Sequence, residues 1–173
     1  MNEVELLLKQ TSNAYDWTFT LLNSIPEDKW DIVPPVLETS VTWQAGHLIM
    51  SFYFHSVMVI TGHLKEVFEK VPLKEYDTLF TRGNPALAVG KTTPAVLKQQ
   101  LRFVADKSLE TIQKLSPSDL DLPLEPTHVP HPIAKTKYEA IDWNIKHTMW
   151  HCGQIAIVKR VTGQRFDFGL KHP

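Results

Sequence analysis

His147-Thr148-Met149-Trp150-His151 places two imidazoles four residues apart. In an α-helix the fourth residue returns over the first, so both rings face one way with Cβ atoms about 6 Å apart. That separation lets two ring nitrogens converge on one cation at about 2.0–2.1 Å. The spacing alone selects weakly, because solvent-facing or hydrogen-bonded pairs produce it too. The neighbours sharpen it. Ala140, Asn144, His147, His151, Ile155 and Val158 form one stripe, the face that the helix must bury. A buried imidazole nitrogen without a partner costs about 1–3 kcal/mol, and a shared cation satisfies two at once. His47 lies with Trp43, Met50, Ser51 and Phe54 on the apolar side of an earlier segment, which makes it the natural third ligand from a facing helix. Three ligands leave coordination positions for water. The zincin pattern H-E-x-x-H needs glutamate where Thr148 stands, which excludes it.

These rings meet only if helices carry them. Val4, Leu7, Leu8, Ala14, Phe19, Leu21, Leu22 and Ile25 fall on one face at helical periodicity before Pro26, predicting a first helix. Pro26 to Trp30 and the Pro34-Pro35 pair predict a connecting loop. Thr39 and Ser40 supply caps for a second helix from Val41 to Gly62, which carries His47. Residues 63–93, with Gly83, Asn84-Pro85 and Gly90, read as an extended loop with room for one short helical turn, a length usual for a functional lid.

Thr93-Pro94 opens a third helix with Leu97, Leu101, Val104, Ser108, Ile112 and Leu115 on one stripe. Ser116-Pro117 stops it, and Pro123, Pro126, Pro130 and Pro132 hold an irregular segment until a fourth helix runs from Tyr138 to about Val161, with Gly163 beyond. Four amphipathic helices and no alternating pattern predict an all-α, antiparallel four-helix bundle whose topology the two longer connections leave open. The tail after it is expected to pack loosely.

Other residues carry smaller expectations. Gln154 and Asn144 stand within a turn of the histidine pair, as candidates to orient a ligand or a bound water. The commoner outcome is a glutamine tied to backbone and an asparagine facing a polar gap. Cys152 is turned about 100° from the ligand stripe and is expected to be a small packed side chain. His55, two turns beyond His47 and rotated by about 80°, is placed at the pocket edge or in a hydrogen-bonded, packed position. His63, His128, His131 and His172 fall in loops or the tail, where exposed histidines are ordinary, although His128 and His131 stand where a pocket mouth would be bordered. Trp17, Trp43, Trp143 and Trp150 are expected in the bundle core.

Composition narrows the class. A chain of 173 residues suits one domain spanning 1–173. Its formal net charge of −1 opposes nucleic acid as a partner, since phosphate binding needs a basic surface. One cysteine forms no internal disulfide, and Glu3 and Glu5 stand where a secretory signal carries base, so a reducing cytoplasm is expected. The apolar run from Leu48 to Ile60, broken by Ser51, His55 and Ser56, is too short to span a bilayer, so no membrane is expected as a partner.

Three segments also carry a family resemblance. Ile25-Pro26-Glu27-Asp28-Lys29-Trp30 is similar to the loop after the first helix of the DinB-like, or YfiT-like, superfamily of metal-dependent enzymes. Thr42-Trp43-Gln44-Ala45-Gly46-His47-Leu48-Ile49 resembles its W-x-x-G-H-[IL] helix, and His147 to Ile155, with Gly153-Gln154, resembles its H-x-x-x-H-x-G-Q-[IL] signature. The resemblance covers most of the chain. It implies an up-down-down-up bundle, often a homodimer, with one divalent transition metal, zinc or nickel, on His47, His147 and His151. Among similar proteins are hydrolases, thiol S-transferases, a thiol-dependent isomerase and many without known activity.

The expected function is that of a metal-dependent enzyme, hydrolase or thiol transferase, acting on a small-molecule substrate. No general base stands out, and imidazole ligands suit zinc, nickel, copper and iron alike. The alternative is a non-catalytic helical bundle whose metal serves structure, storage or sensing; a structural ion would be closed by a fourth protein ligand.

Overall fold

The computed structural model describes residues 1–169, so His172 lies outside the described residues. Each long helix starts where a side chain takes over a missing backbone partner. Asn2 and Glu5 close a reciprocal cap on α1 (Glu3–Asn23), each accepting the other's N–H at 2.9 Å. Ser40 accepts the Trp43 N–H at 3.1 Å at the head of α2 (Val41–Tyr53). The path of α2 continues through a π-helical segment, Phe54–Met58, and a last turn, Val59–Thr61, that ends at Gly62 with φ 84°. Two short helices follow, α3 (Lys65–Lys70) and α4 (Leu73–Tyr76). Thr93 caps α5 (Pro94–Gln113), with proline at its first position, and Thr136 with Glu139 caps α6 (Lys137–Thr162). Among the described residues there is no β-strand, only an isolated bridge between Pro123 and Thr136.

The core shows how the helices run. A smaller cluster holds Val4 and Leu7 from the start of α1, Ile60 and Ile112 from the ends of the α2 path and α5, and Ala140 and Ile141 from the start of α6. The main cluster holds the opposite ends, including Leu22, Val41, Leu97 and Val158. Thus α1 and α6 leave one end of the bundle while α2 and α5 arrive there, an up-down-down-up arrangement. α1 packs against α5 and α6, and α2 packs against the same two, so α1 and α2 occupy diagonal corners. Leu22, Leu48, Ile49 and Phe52 are wholly buried, each burial contributing about 1.5–3 kcal/mol. Between the clusters the Tyr15 hydroxyl bonds Ser108 Oγ at 2.7 Å and accepts the Asn144 Nδ2–H at 2.9 Å.

Residues 63–93 depart from the extended loop expected of them. Besides α3 and α4 they form a π-helical segment, Asp77–Arg82, and a 3₁₀ turn, Pro85–Ala88. Val67, Val71, Leu73, Tyr76, Phe80 and Ala88 are buried in the main core. Their spacing follows no single helical period, and helices this short are stable only through tertiary burial, which periodicity does not register. The tryptophans also differ from the core placement expected. Trp17 and Trp43 pack at the core's edge, Trp143 is half-buried, and Trp150 is 62% exposed, whereas the wholly buried tryptophan is Trp30, from the connecting loop. The tail does not hang free at Phe166, which packs edge-on against Trp17. No described helix is long and apolar enough to cross a membrane.

Candidate metal centre

α2 presents His47 and α6 presents His147 and His151 to one point, where one ligand atom from each lies within 4.8 Å of the others. The Nε2 atoms of His147 and His151 are 3.1 Å apart. Two nitrogens about 2.0–2.1 Å from a common ion at roughly tetrahedral to octahedral angles stand about 2.8–3.4 Å apart, so this pair has chelating dimensions.

The rings are oriented from behind. His47 Nδ1 is 2.7 Å from the Phe80 carbonyl, which only accepts, so Nδ1 carries the proton and Nε2 keeps its lone pair. The approach depends on Gly46: a Cβ there would lie 2.4 Å from the Phe80 ring. Trp43 stacks on His47 with centroids 4.8 Å apart, and its indole N–H donates to the Gly83 carbonyl at 3.3 Å. Both carbonyls come from the 63–93 segment.

His151 is held by Gln44. The Gln44 amide nitrogen donates to Thr39 Oγ1 at 3.0 Å and to Gln154 Oε1 at 2.8 Å, which turns its oxygen toward His151 Nδ1 at 2.5 Å. His151 therefore also carries its proton on Nδ1 and offers Nε2. His147 Nδ1 is buried without a partner among the described residues, and Trp143 stacks on that ring at 5.8 Å.

Burial, reinforced by the neighbouring imidazoles, lowers the His147 pKa to about 4 and that of His151 to about 3; burial also lowers His47. All three are neutral near pH 7, the state in which imidazole binds a metal. Neutral rings, with His47 and His151 locked so that Nε2 is free and with the Nε2 atoms of His147 and His151 at chelating spacing, fit a divalent transition ion.

The cluster opens on a cavity of about 680 Å³ that His47 and His147 line. Its walls include Met50, Phe54, Met58, Leu73, Val129 and Trp143, and its polar rim includes Arg82, bonded to Asp77 at 3.0 Å. His55 is buried beside His147, bonded to His131, and His63 and His128 line the same cavity. Thus His128 borders the pocket, as its place before α6 allowed.

Gln154 bonds Gln44 and so reaches His151 through one intermediary, whereas Asn144 Nδ2 bonds Tyr15 in the interior. Cys152 is buried against Thr18 Oγ1 at 3.4 Å, the packed placement expected. Gln44 and Phe80 are the residues that sequence reasoning missed. Gln44 lies three residues before His47, on the same side of α2, and that offset is a usable signal. The role of Phe80 is carried by its backbone, which leaves none.

The DinB superfamily model matches residues 10–155. Among solved structures, the chain is similar to the crystal structure of a conserved protein from Enterococcus faecalis. The two share 15% identity, with a TM-score of 0.70 over 94% of this chain and 98% of that one, a likeness of fold alone. No curated protein sequence matches the chain. With the family model matching from within α1 to within α6, well over half of the chain, this chain belongs to the DinB superfamily.

Proposed function

We propose that the chain is a metal-dependent enzyme, of the hydrolase or thiol S-transferase class, that acts on a small molecule through a divalent ion, zinc or nickel, on His47, His147 and His151. The observation that carries this reading is the Nε2 pair of His147 and His151, 3.1 Å apart, with His151 locked by Gln44, beside a cavity of about 680 Å³. When bound, such an ion supplies Lewis acidity, which hydrolysis and thiol transfer both use. The protein's own part is to hold two rings in the Nδ1–H tautomer, to keep all three neutral, and to surround a small organic body with apolar walls. The described residues bring three candidate ligands together, and two of them line the cavity. A purely structural ion is closed by a fourth protein ligand, so the open side favours the enzymatic reading.

The test is the metal content of tag-free protein, wild type against the His147→Ala/His151→Ala double variant. About one equivalent in the wild type and almost none in the variant supports the site. Empty protein in both, even after reconstitution with zinc or nickel, overturns it. Removing the ion with a chelator then separates enzyme from structural bundle: helical circular dichroism should survive, and global unfolding would favour the structural role.

A further inference from the structure

Beside the three-histidine cluster lies a second histidine pair. The backbone N–H groups of Ile133 and Ala134 both point at His131 Nδ1, at 3.2 and 2.8 Å. An N–H only donates, so His131 Nδ1 is a bare lone pair and its proton sits on Nε2. That Nε2–H faces His55 Nδ1 at 2.8 Å, which must accept, and this leaves the His55 proton on Nε2. Phe54 lies parallel to the His131 ring with centroids 5.5 Å apart and helps hold it. His55 itself stands on the π-helical segment of the α2 path, a departure from regular helix that often marks functional positions. Its ring lies 5.3 Å from that of His147, it lines the cavity, and its Nε2 is neither bonded to a described residue nor sealed off without a partner.

We propose that His131 fixes His55 as a neutral hydrogen-bond donor whose Nε2–H meets an acceptor oxygen, carbonyl or oxyanion, of an otherwise apolar small molecule held at the histidine cluster. This rests on the metal-dependent reading above. His55 is the group that touches the ligand, and His131 is a positioning residue acting through it. The pair explains why a cavity with mostly apolar walls has an imidazole tautomer chosen by two backbone amides, and it narrows the substrate class to molecules with an oxygen acceptor near the reacting atom.

Long-range proton–nitrogen NMR on protein labelled with ring-15N histidine should show His55 and His131 as neutral Nε2–H tautomers. In the cobalt-loaded protein, acetohydroxamate, which offers such oxygens, should perturb the visible bands. His55→Phe should weaken that binding about three- to tenfold at unchanged cobalt stoichiometry, the effect of one lost hydrogen bond. His55→Gln should recover part of it. His131→Ala should give the same weakening together with a changed His55 tautomer, while His131→Gln, which keeps a donor, should be milder. A His55 Nδ1–H signal in the wild type, equal hydroxamate affinity in His55→Phe, or no hydroxamate binding to the wild type overturns the proposal. A chain that binds no cobalt fails differently: it overturns the metal-dependent reading, and with it the acceptor site assumed here.

Discussion

Gly46 and Phe80 approach so closely that a single methyl group on Gly46 would lie 2.4 Å from the Phe80 ring, and the same Phe80 supplies the carbonyl that orients His47. A helical glycine is thereby tied to the tautomer of a candidate metal ligand through a segment more than thirty residues away. Gly46→Ala should gain about 1 kcal/mol of helix propensity and lose more than that to overpacking, about 1–3 kcal/mol. The expected result is a small net loss of stability with a larger loss of metal affinity. Thermal unfolding and a competitive zinc titration check both, and unchanged affinity would show that the Phe80 carbonyl does not hold His47.

Gln44 lies behind His151, and Gln154 lies behind Gln44. Gln44→Leu should lower metal affinity about 10- to 100-fold, the usual range when the partner of a ligating histidine is removed. Gln154→Leu should cost less, because Thr39 still orients the Gln44 amide. If Gln154→Leu proves the more damaging of the two, the order of this chain is wrong.

Acid should weaken the metal-free fold through the same histidines. Their folded pKa values, about 4 for His147 and about 3 for His151, lie below the ordinary 6.5. Between these limits the unfolded chain binds protons that the folded chain refuses. The stability from keeping these rings neutral is therefore complete above about pH 6.5 and is lost as pH falls toward 3–4. Urea unfolding at a series of pH values should show this slope, of a few kcal/mol in all, and His151→Gln should flatten it. A slope unchanged by the variant would assign the acid sensitivity elsewhere.

Asn144 shares the face of α6 that carries His147 and His151, yet it bonds Tyr15 within the buried network of Ser56 and Ser108. Tyr15→Phe should destabilise the protein by about 1–3 kcal/mol, because Asn144 Nδ2 loses its partner and remains buried. Metal stoichiometry should not change in Tyr15→Phe or in Asn144→Ala. Loss of the ion from Asn144→Ala would instead link that residue to the cluster.

Much of the frame is legible without coordinates because it depends on local chemistry. Asn2, Ser40, Thr93 and Thr136 cap backbone groups within three residues of themselves, and Pro94 and Gly62 act through their own dihedrals. The spacing of His147 and His151 is likewise a property of one helix, and the apolar stripes state which faces turn inward. His47 joins them because it occupies the buried face of a facing helix.

What only the tertiary structure decides are the contacts between segments that no period connects. Phe80 reaches His47 through its backbone carbonyl, which every residue type possesses, so its identity carries no signal. His131 and His55, 76 residues apart, form a pair whose proton positions depend on two amides in a proline-rich turn. The burial of residues 63–93 falls in the same class: Val67, Tyr76 and Phe80 are held by the core they complete, not by a repeating pattern of their own. A local rule sees capping groups and periodic faces because their partners lie within a few residues. It does not see the cavity and the orientation of its histidines, because these depend on which distant segments the burial of apolar surface brings together.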